Sequence, residues 1–135
     1  MEQTRGIRNN NPFNIIYIKS NTWLGKRLPN QDGRFEQFTE MDYGIRAGIC
    51  LFRNYIRRYH LKTPRQMLMR FAPSFENDFQ AYCDFLIRYG VALDSLCTLY
   101  NDNFYYFIKG ICWYESRFVL TDFDIHRIIK KFKLY

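Results

Sequence analysis

The sequence predicts one mainly α-helical domain. At 135 residues and 47% hydrophobic content, the chain is long enough for one core and short for two. From Glu40 onward, apolar residues recur at spacings of three and four, which is the period of an amphipathic helix. No repeat, low-complexity segment or linker rich in glycine, serine or proline divides the chain, so we expect a single domain over residues 1–135.

The first 40 residues differ in texture from the rest. They contain the asparagine cluster "NNNPFN" and the turn-forming stretch "LPNQDG". They also contain two short β-prone runs, "NIIYIK" and "RFEQF". We therefore expect a small irregular or β-hairpin excursion before the helices begin.

The first long helix is predicted over residues 41–59. The small residues Gly44, Ala47 and Gly48 would let another segment approach it closely. Its apolar face comprises Ile45, Ile49, Phe52, Ile56 and Tyr59.

Proline and glycine bound the next two helices. The first begins at "TPRQ", with the threonine as N-cap and Pro64 at the first helical position, and it ends before Pro73. The other begins after "PSFEND", with Asn77 or Asp78 as N-cap, and it ends at Gly90.

Two further helices complete the prediction. One begins near Asn101 or Asp102 and reaches about Ser116, and the last covers "TDFDIHRIIKKF", with Thr121 or Asp122 as cap. In the first of these, a carboxylate continues the stripe of three apolar side chains at spacings of four, three and four. The stripe consists of Phe104, Ile108, Ile111 and Glu115.

Glu115 is the first candidate for chemistry. Burial and the negative end of the helix dipole both disfavour its ionised form, so both raise its pKa. A carboxylic acid that stays protonated near neutral pH can give its proton to a glycosidic oxygen. The alternative is a partly exposed glutamate paired with Arg117 or another basic residue, and periodicity alone favours that alternative.

Charge and cysteine content narrow the function classes. A net charge of +7 favours polyanions, including nucleic acids, lipid surfaces and the bacterial cell wall, although solvated basic helix faces explain it equally well. Nucleic-acid binding rests on charge alone, and we expect none.

The four cysteines form no C-x-x-C pair, so we expect buried free thiols, no metal site and no cofactor. We also expect no membrane span and no Sec-type export signal.

Several stretches resemble known cell-wall enzymes. "ICWYESRF" resembles the segment around the catalytic glutamate of lytic transglycosylases and goose-type lysozymes. The blocks "RGIRNNNPFNI", "WLGK", "GRFEQF", "GIRA" and "APSFENDFQAY" resemble, in order and spacing over residues 5–86, a family of small phage-type virion and lysis proteins. In that family a glutamate near the C-terminus falls where Glu115 falls.

The order of the blocks resembles a circular permutation. In bacterial glucosaminidases and related lysozyme-like enzymes the Glu-Ser segment comes first, whereas here the asparagine block leads and Glu115 comes last. The resemblance thus implies a circularly permuted lysozyme-like fold, which is physically feasible when termini lie close together. Two departures bear on activity: Phe13 replaces a family glycine, and Ser116 and Arg117 replace asparagine and glycine. We expect Phe13 to narrow the cleft or change the substrate.

The resemblance implies one catalytic acid/base, Glu115, assisted by groups that bind sugars. Asparagine amides could bind sugar hydroxyls or simply close their own loop, and Tyr82 could face a sugar or fill the core. We expect Trp23 in the core and Arg46 as an anchor of the asparagine loop. The predicted substrate-binding residues are Asn10, Asn11, Asn14, Ser116, Tyr82 and Glu36; a second carboxylate would come from Asp32, Glu36, Glu40 or Asp42.

The predicted function is cleavage of peptidoglycan glycan strands, as a muramidase or lytic transglycosylase. The alternative is a non-catalytic glycan-binding or structural component of a virion or secretion apparatus. Without an export signal, we expect the protein to act at the bacterial cell wall after delivery by lysis, a virion or a secretion machine.

Overall fold

The computed structural model describes residues 2–72 and 78–135, and this part of the chain is mainly α-helical, as predicted. It contains six helices and two isolated antiparallel β-bridges, without a sheet. The helices are α1 (Arg5–Arg8), α2 (Met41–Arg57), α3 (Pro64–Phe71), α4 (Phe79–Tyr89), α5 (Asp102–Ser116) and α6 (Asp122–Phe132).

Helix α5 lies at the centre of the core. It contacts α1, α3 and α4, while α2 packs against α6. The predicted apolar stripe of α5 is confirmed, because Phe104, Ile108 and Ile111 are all fully buried. The stripe therefore carries Glu115 from the core towards the point where α5 ends.

The helix ends follow local capping chemistry. Thr63 and Gln66 form a capping box at the start of α3, and Thr121 and Asp124 form another at the start of α6. Gly90 ends α4 with a φ of 113°, a left-handed conformation that glycine adopts easily. Helix α2 ends at residue 57 rather than 59. The expectations for Pro73 and Asn77 concern residues outside the described part of the chain.

The N-terminal excursion is looser than a hairpin. Ile16 bridges Phe35 and Lys26 bridges Phe38, but neither pairing extends into a strand in the described part of the chain. Helix α1 is not predicted by the sequence pattern, and its N-cap Thr4 accepts a hydrogen bond from the amide of Ile7. A helix of four residues is too short to show the periodicity that reveals longer ones.

The four cysteines are free and buried, which agrees with the sequence prediction. Burial raises the pKa of the Cys97 thiol to about 12. Within residues 2–72 and 78–135, no three histidine, cysteine or acidic side chains come together as metal ligands. Every helix in these ranges is too short or too polar to cross a membrane.

An ion-pair cluster joins α2 to α6. Both terminal guanidinium nitrogens of Arg127, Nη1 and Nη2, donate to Asp42, at 2.8 and 3.0 Å, and Lys131 Nζ donates to the same carboxylate at 2.8 Å. The Arg127 hydrogen bond is the main reason that the pKa of Asp42 is lowered from 3.8 to about 2. The cluster thus stabilises the folded state while Asp42 is ionised.

Replacing Asp42 with asparagine is expected to lower the free energy of unfolding by about 1 kcal/mol at pH 7. Because the folded pKa lies below the unfolded one, this contribution is present above pH 3.8 and is lost as pH falls through about 2. Urea unfolding of both proteins from pH 7 downward should show the gap closing. The matched control, Asp94→Asn, removes an exposed pair with Arg65 and should change stability less. A gap that is independent of pH would contradict this account.

Candidate active site

Glu115 lies in the last turn of α5 and lines an open cleft of about 620 Å³. The cleft runs between the N-terminal loop and the start of α4. Its described lining also includes the charged residues Arg34, Arg70 and Asp78. Aromatic side chains line much of the cleft: Trp23, Phe35, Tyr55, Phe71, Phe79, Tyr82 and Tyr114.

Two side chains hold the Glu115 carboxylate. The Tyr82 hydroxyl donates to Oε2 at 2.9 Å, and Asn14 Nδ2 lies 3.1 Å from Oε1 and 3.1 Å from the backbone carbonyl of Glu115. Arg117 instead donates to the carbonyls of Trp113 and Tyr114. The alternative in which Glu115 pairs with Arg117 is therefore wrong.

The environment raises the pKa of Glu115 above its ordinary value. Burial is the largest cause, because it disfavours the ionised form. Hydrogen bonds from Tyr82 and Asn14, together with the charge of Arg34, act in the opposite direction and only partly offset burial. The upward shift of the Glu115 pKa agrees with the expectation from the position of Glu115 on the apolar stripe of α5.

The asparagine loop is closed by its own side chains, which is one of its two expected roles, and one of its asparagines also reaches Glu115. Asn11 is fully buried, and it closes the loop by donating to the carbonyls of Ile15 and Glu36 and accepting from the Ile15 amide. Asn10 donates to the Phe38 carbonyl. Asn14 alone reaches Glu115, with a φ of 51° that asparagine tolerates better than most side chains.

Two other predicted substrate contacts lie beneath the loop. Glu36 is fully buried, and its Oε2 accepts from Lys26 Nζ at 3.2 Å and from the Ile18 amide at 3.3 Å. Ser116 is also fully buried, and a Cβ on Gly6 would overlap its hydroxyl. Neither residue lines the Glu115 cleft.

Phe13 does not narrow the cleft, which corrects the sequence expectation. Its side chain is fully buried in the core, with its ring centroid 6.0 Å from that of Phe52. A Cβ on Gly48 would overlap the Phe13 ring, so the glycine on α2 makes the room that this ring occupies. The substitution therefore fills core space rather than obstructing Glu115.

Arg117 and Arg46 also differ from their expected roles. Arg117 ends α5 with a φ of 55°, the left-handed conformation that favours glycine. Arg46 lies over the Phe132 ring, 5.7 Å from its centroid, instead of anchoring the asparagine loop. Close packing anchors the loop, since a Cβ on Gly44 would overlap the Asn10 carbonyl.

The expected second carboxylates are committed elsewhere or lie off the cleft. Asp32 pairs with Arg5 at 2.8 Å, Glu36 and Asp42 form the ion pairs described above, and the exposed Glu40 is not part of the cleft lining. Asp78 does line the cleft, although its place in the sequence predicts only a helix cap. Its spacing of four from Tyr82 was the available signal, because residues four apart share a helix face.

Tyr82 and Trp23 differ in what they offer a ligand. Tyr82 is only 4% exposed and stacks on Tyr114, with centroids 3.8 Å apart. Its hydroxyl therefore serves Glu115, and the half-buried Tyr114 presents the accessible ring. Trp23 packs against the core as expected, but it also forms part of the cleft wall.

The chain is similar in sequence to a phage protein. It is 38% identical over 87 residues to Protein P5 of Pseudoalteromonas phage PM2, an alignment that covers 63% of this chain and 54% of that protein. The chain thus spans about half the length of the curated relative that it matches. No family model matches the sequence.

Proposed function

We propose that the protein is a peptidoglycan-cleaving glycosidase that uses Glu115 as its general acid and base. The observation that carries the proposal is a carboxyl group whose pKa is raised by burial and which opens into an aromatic-lined cleft. Aromatic faces suit the apolar faces of sugar rings, and the cleft is open enough to admit a polymer.

The first chemical step uses the proton on Glu115. The protonated carboxyl donates it to the glycosidic oxygen as the bond to the anomeric carbon breaks, and the leaving sugar departs as a neutral alcohol. The Glu115 carboxylate that results accepts hydrogen bonds from Tyr82 and Asn14, which stabilise its new charge. These contacts also hold the carboxyl group in position before the reaction.

The second step returns a proton to Glu115. The carboxylate takes it from a water molecule whose oxygen bonds to the anomeric carbon in hydrolysis, or from a hydroxyl of the same sugar whose oxygen bonds to that carbon in transglycosylation. The N-acetyl group of the substrate can assist at the anomeric carbon, so one carboxylate is sufficient. Asp78 is the further described carboxylate of the cleft and the candidate base if the reaction uses two.

The same proposal includes a circularly permuted lysozyme-like fold and action at the bacterial cell wall. The mainly helical fold, the asparagine loop beside Glu115 and the order of the motifs support a permuted lysozyme-like domain. The similarity to a phage protein supports action at the cell wall of a bacterium, after delivery by a virion or during lysis. Delivery to the cell wall by a secretion machine is the remaining alternative.

Mass spectrometry of digested sacculi tests the proposal. The protein should release soluble muropeptides, and their ends identify the reaction: anhydromuramic acid for a transglycosylase, reducing muramic acid for a muramidase and reducing glucosamine for a glucosaminidase. Peptides cleaved from intact glycan would contradict the proposal.

A second candidate function is glycan binding without cleavage. The observation that favours it is that both Glu115 carboxylate oxygens already accept hydrogen bonds from the protein. Such bonds stabilise the ionised form and hinder proton donation. Co-sedimentation with sacculi, combined with no release of muropeptides, would establish this function instead.

Tyr82→Phe is expected to move the alkaline limb of the pH–activity profile to higher pH. The hydroxyl lowers the pKa of Glu115, so its removal raises that pKa and keeps the acid protonated to higher pH. The phenyl ring preserves stacking on Tyr114. Tyr106→Phe, on the exposed side of α5, is the control and should leave the profile unchanged. If the alkaline limb of the pH–activity profile does not move in Tyr82→Phe, Glu115 is not the titrating acid.

A further inference from the structure

A second cavity, of about 740 Å³, adjoins the Glu115 cleft and is strongly basic. Its arginines come from α2 and α3 and from the residue that ends α2. Its described lining contains no aspartate or glutamate. The arginines are Arg46, Arg53, Arg58 and Arg70.

The arrangement of these arginines is built into the helices. Arg46 and Arg53 are seven residues apart on α2, which places them on one face two turns apart. Arg70 on α3 stacks over the Tyr59 ring at 3.6 Å. Among the ion pairs of residues 2–72 and 78–135, none involves a cavity arginine. Their mutual repulsion therefore favours an anion from outside.

The basic cavity is continuous with the cleft. The two share the side chains of Ile18, Asn21, Trp23, Leu51, Tyr55 and Arg70. A polymer lying against Glu115 would thus have any side branch directed past Trp23 within reach of the arginines. Continuity with the cleft indicates that the occupant of the cavity is part of the same substrate.

We propose that the arginine cavity binds the acidic stem peptide of peptidoglycan while the glycan lies against Glu115. This inference rests on the proposed function. In peptidoglycan every second sugar carries a short peptide with free carboxylates, and guanidinium groups bind carboxylates through paired hydrogen bonds. Leu51 and Ile18 provide apolar surface for the methyl groups of alanine residues.

The shape of the site favours a peptide branch over a nucleic acid. Proteins that bind single strands follow the phosphate backbone along an extended basic groove. Here the arginines line one cavity that adjoins the Glu115 cleft, and the carboxylate of Asp78 would repel a phosphate chain that continued into the cleft. A branched, carboxylate-bearing ligand fits both halves.

Titration of two soluble ligands tests the proposal. They are the N-acetylglucosamine–N-acetylmuramic acid disaccharide with its tetrapeptide and the same disaccharide without peptide. The protein carries Glu115→Gln to prevent turnover, and tryptophan fluorescence reports binding because Trp23 lines both cavities. We expect the peptide to increase affinity about tenfold, the scale of one good charged contact.

Arginine variants locate the effect. Arg53→Gln with Arg58→Gln should bring the two ligands to similar affinity, and Arg58→Gln alone, at an exposed position, should reduce the preference without risk to the core. Arg88→Gln, an exposed arginine on α4 outside the cavity lining, should keep the preference.

Three results would overturn the proposal: equal affinity for both ligands, a preference that survives the double variant, or tighter, arginine-dependent binding of a single-stranded deoxythymidine oligomer. Failure here would leave cleavage of sacculi intact. Failure of the proposed function would appear as absent cleavage, whatever this titration shows.

Discussion

Replacing Lys26 with methionine is expected to destabilise the protein by about 3–5 kcal/mol, because it leaves a buried carboxylate without its counter-ion. The side chains of Lys26 and Glu36 are 6% and 0% exposed, and their charged atoms lie 3.2 Å apart. Lys26 Nζ also donates to the backbone carbonyls of Ile18 and Asn21. The variant therefore removes a charge pair and two hydrogen bonds of the loop at once.

A double variant separates these contributions. Adding Glu36→Gln to Lys26→Met removes the stranded charge, so part of the lost stability should return. Lys19→Met, at an exposed position in the same loop, is the control and should have little effect. The measurement is the free energy of unfolding from urea titrations at pH 7. A Lys26→Met protein as stable as the unaltered chain would contradict the role assigned to this pair.

The Lys26–Glu36 ion pair also stabilises one wall of the Glu115 cleft. Ile18 and Asn21, whose carbonyls bind Lys26, line both the cleft and the arginine cavity, and Trp23 lies between Asn21 and Lys26 in sequence. Loss of Lys26 should therefore loosen one wall of the cleft as well as the fold.

The helices were predictable because their signals are local. Thr63, Asn101 and Thr121 cap their helices through their own side chains, and Gly90 ends α4 in a conformation that suits it. The stripe that ends in Glu115 followed from helical spacing alone. Each of these features depends on a few neighbouring residues.

The site was predictable only in part because it depends on distant contacts. Asn14 and Tyr82 meet Glu115 across 101 and 33 residues of chain, and no local pattern encodes that convergence. Resemblance to known motifs singled out both residues, but it could not separate them from Asn11, which closes the loop instead.

Two of the sequence predictions are wrong for the same physical reason. The sequence predicts that Phe13 and Glu36 lie in the cleft, but both are fully buried. Phe13 is accommodated by a glycine on α2, and Glu36 is neutralised by a lysine ten residues earlier. Burial of a large ring or a charge is feasible only when such a partner is present, and sequence alone does not show which residues become partners.

Replacing Glu115 with glutamine is expected to lower the cleavage rate by about 10²–10⁴-fold, the usual contribution of a general acid and base. Glutamine has nearly the same shape and its carbonyl oxygen can still accept a hydrogen bond from Tyr82, but it has no proton to transfer to a glycosidic oxygen. Binding of the glycan should change little, so the loss should lie in kcat.

The variant should fold at least as well as the unaltered protein. The folded-state pKa of Glu115 is raised, so its contribution to stability is complete below about pH 4.5 and falls as pH rises through the folded value. Glutamine does not ionise, so above about pH 4.5 it avoids the cost that burial imposes on the carboxyl group. Urea unfolding should show a higher free energy of unfolding for Glu115→Gln than for the unaltered protein at pH 7. This difference should become smaller as pH is lowered.

The most direct test of the central claim compares soluble muropeptide release from purified sacculi by three proteins: the unaltered chain, Glu115→Gln and Glu40→Gln. Glu40 is an exposed carboxylate outside the cleft, so its variant controls for the chemical change itself. The account predicts release by the unaltered chain and Glu40→Gln and almost none by Glu115→Gln. Equal release by all three, or release by none, would contradict it.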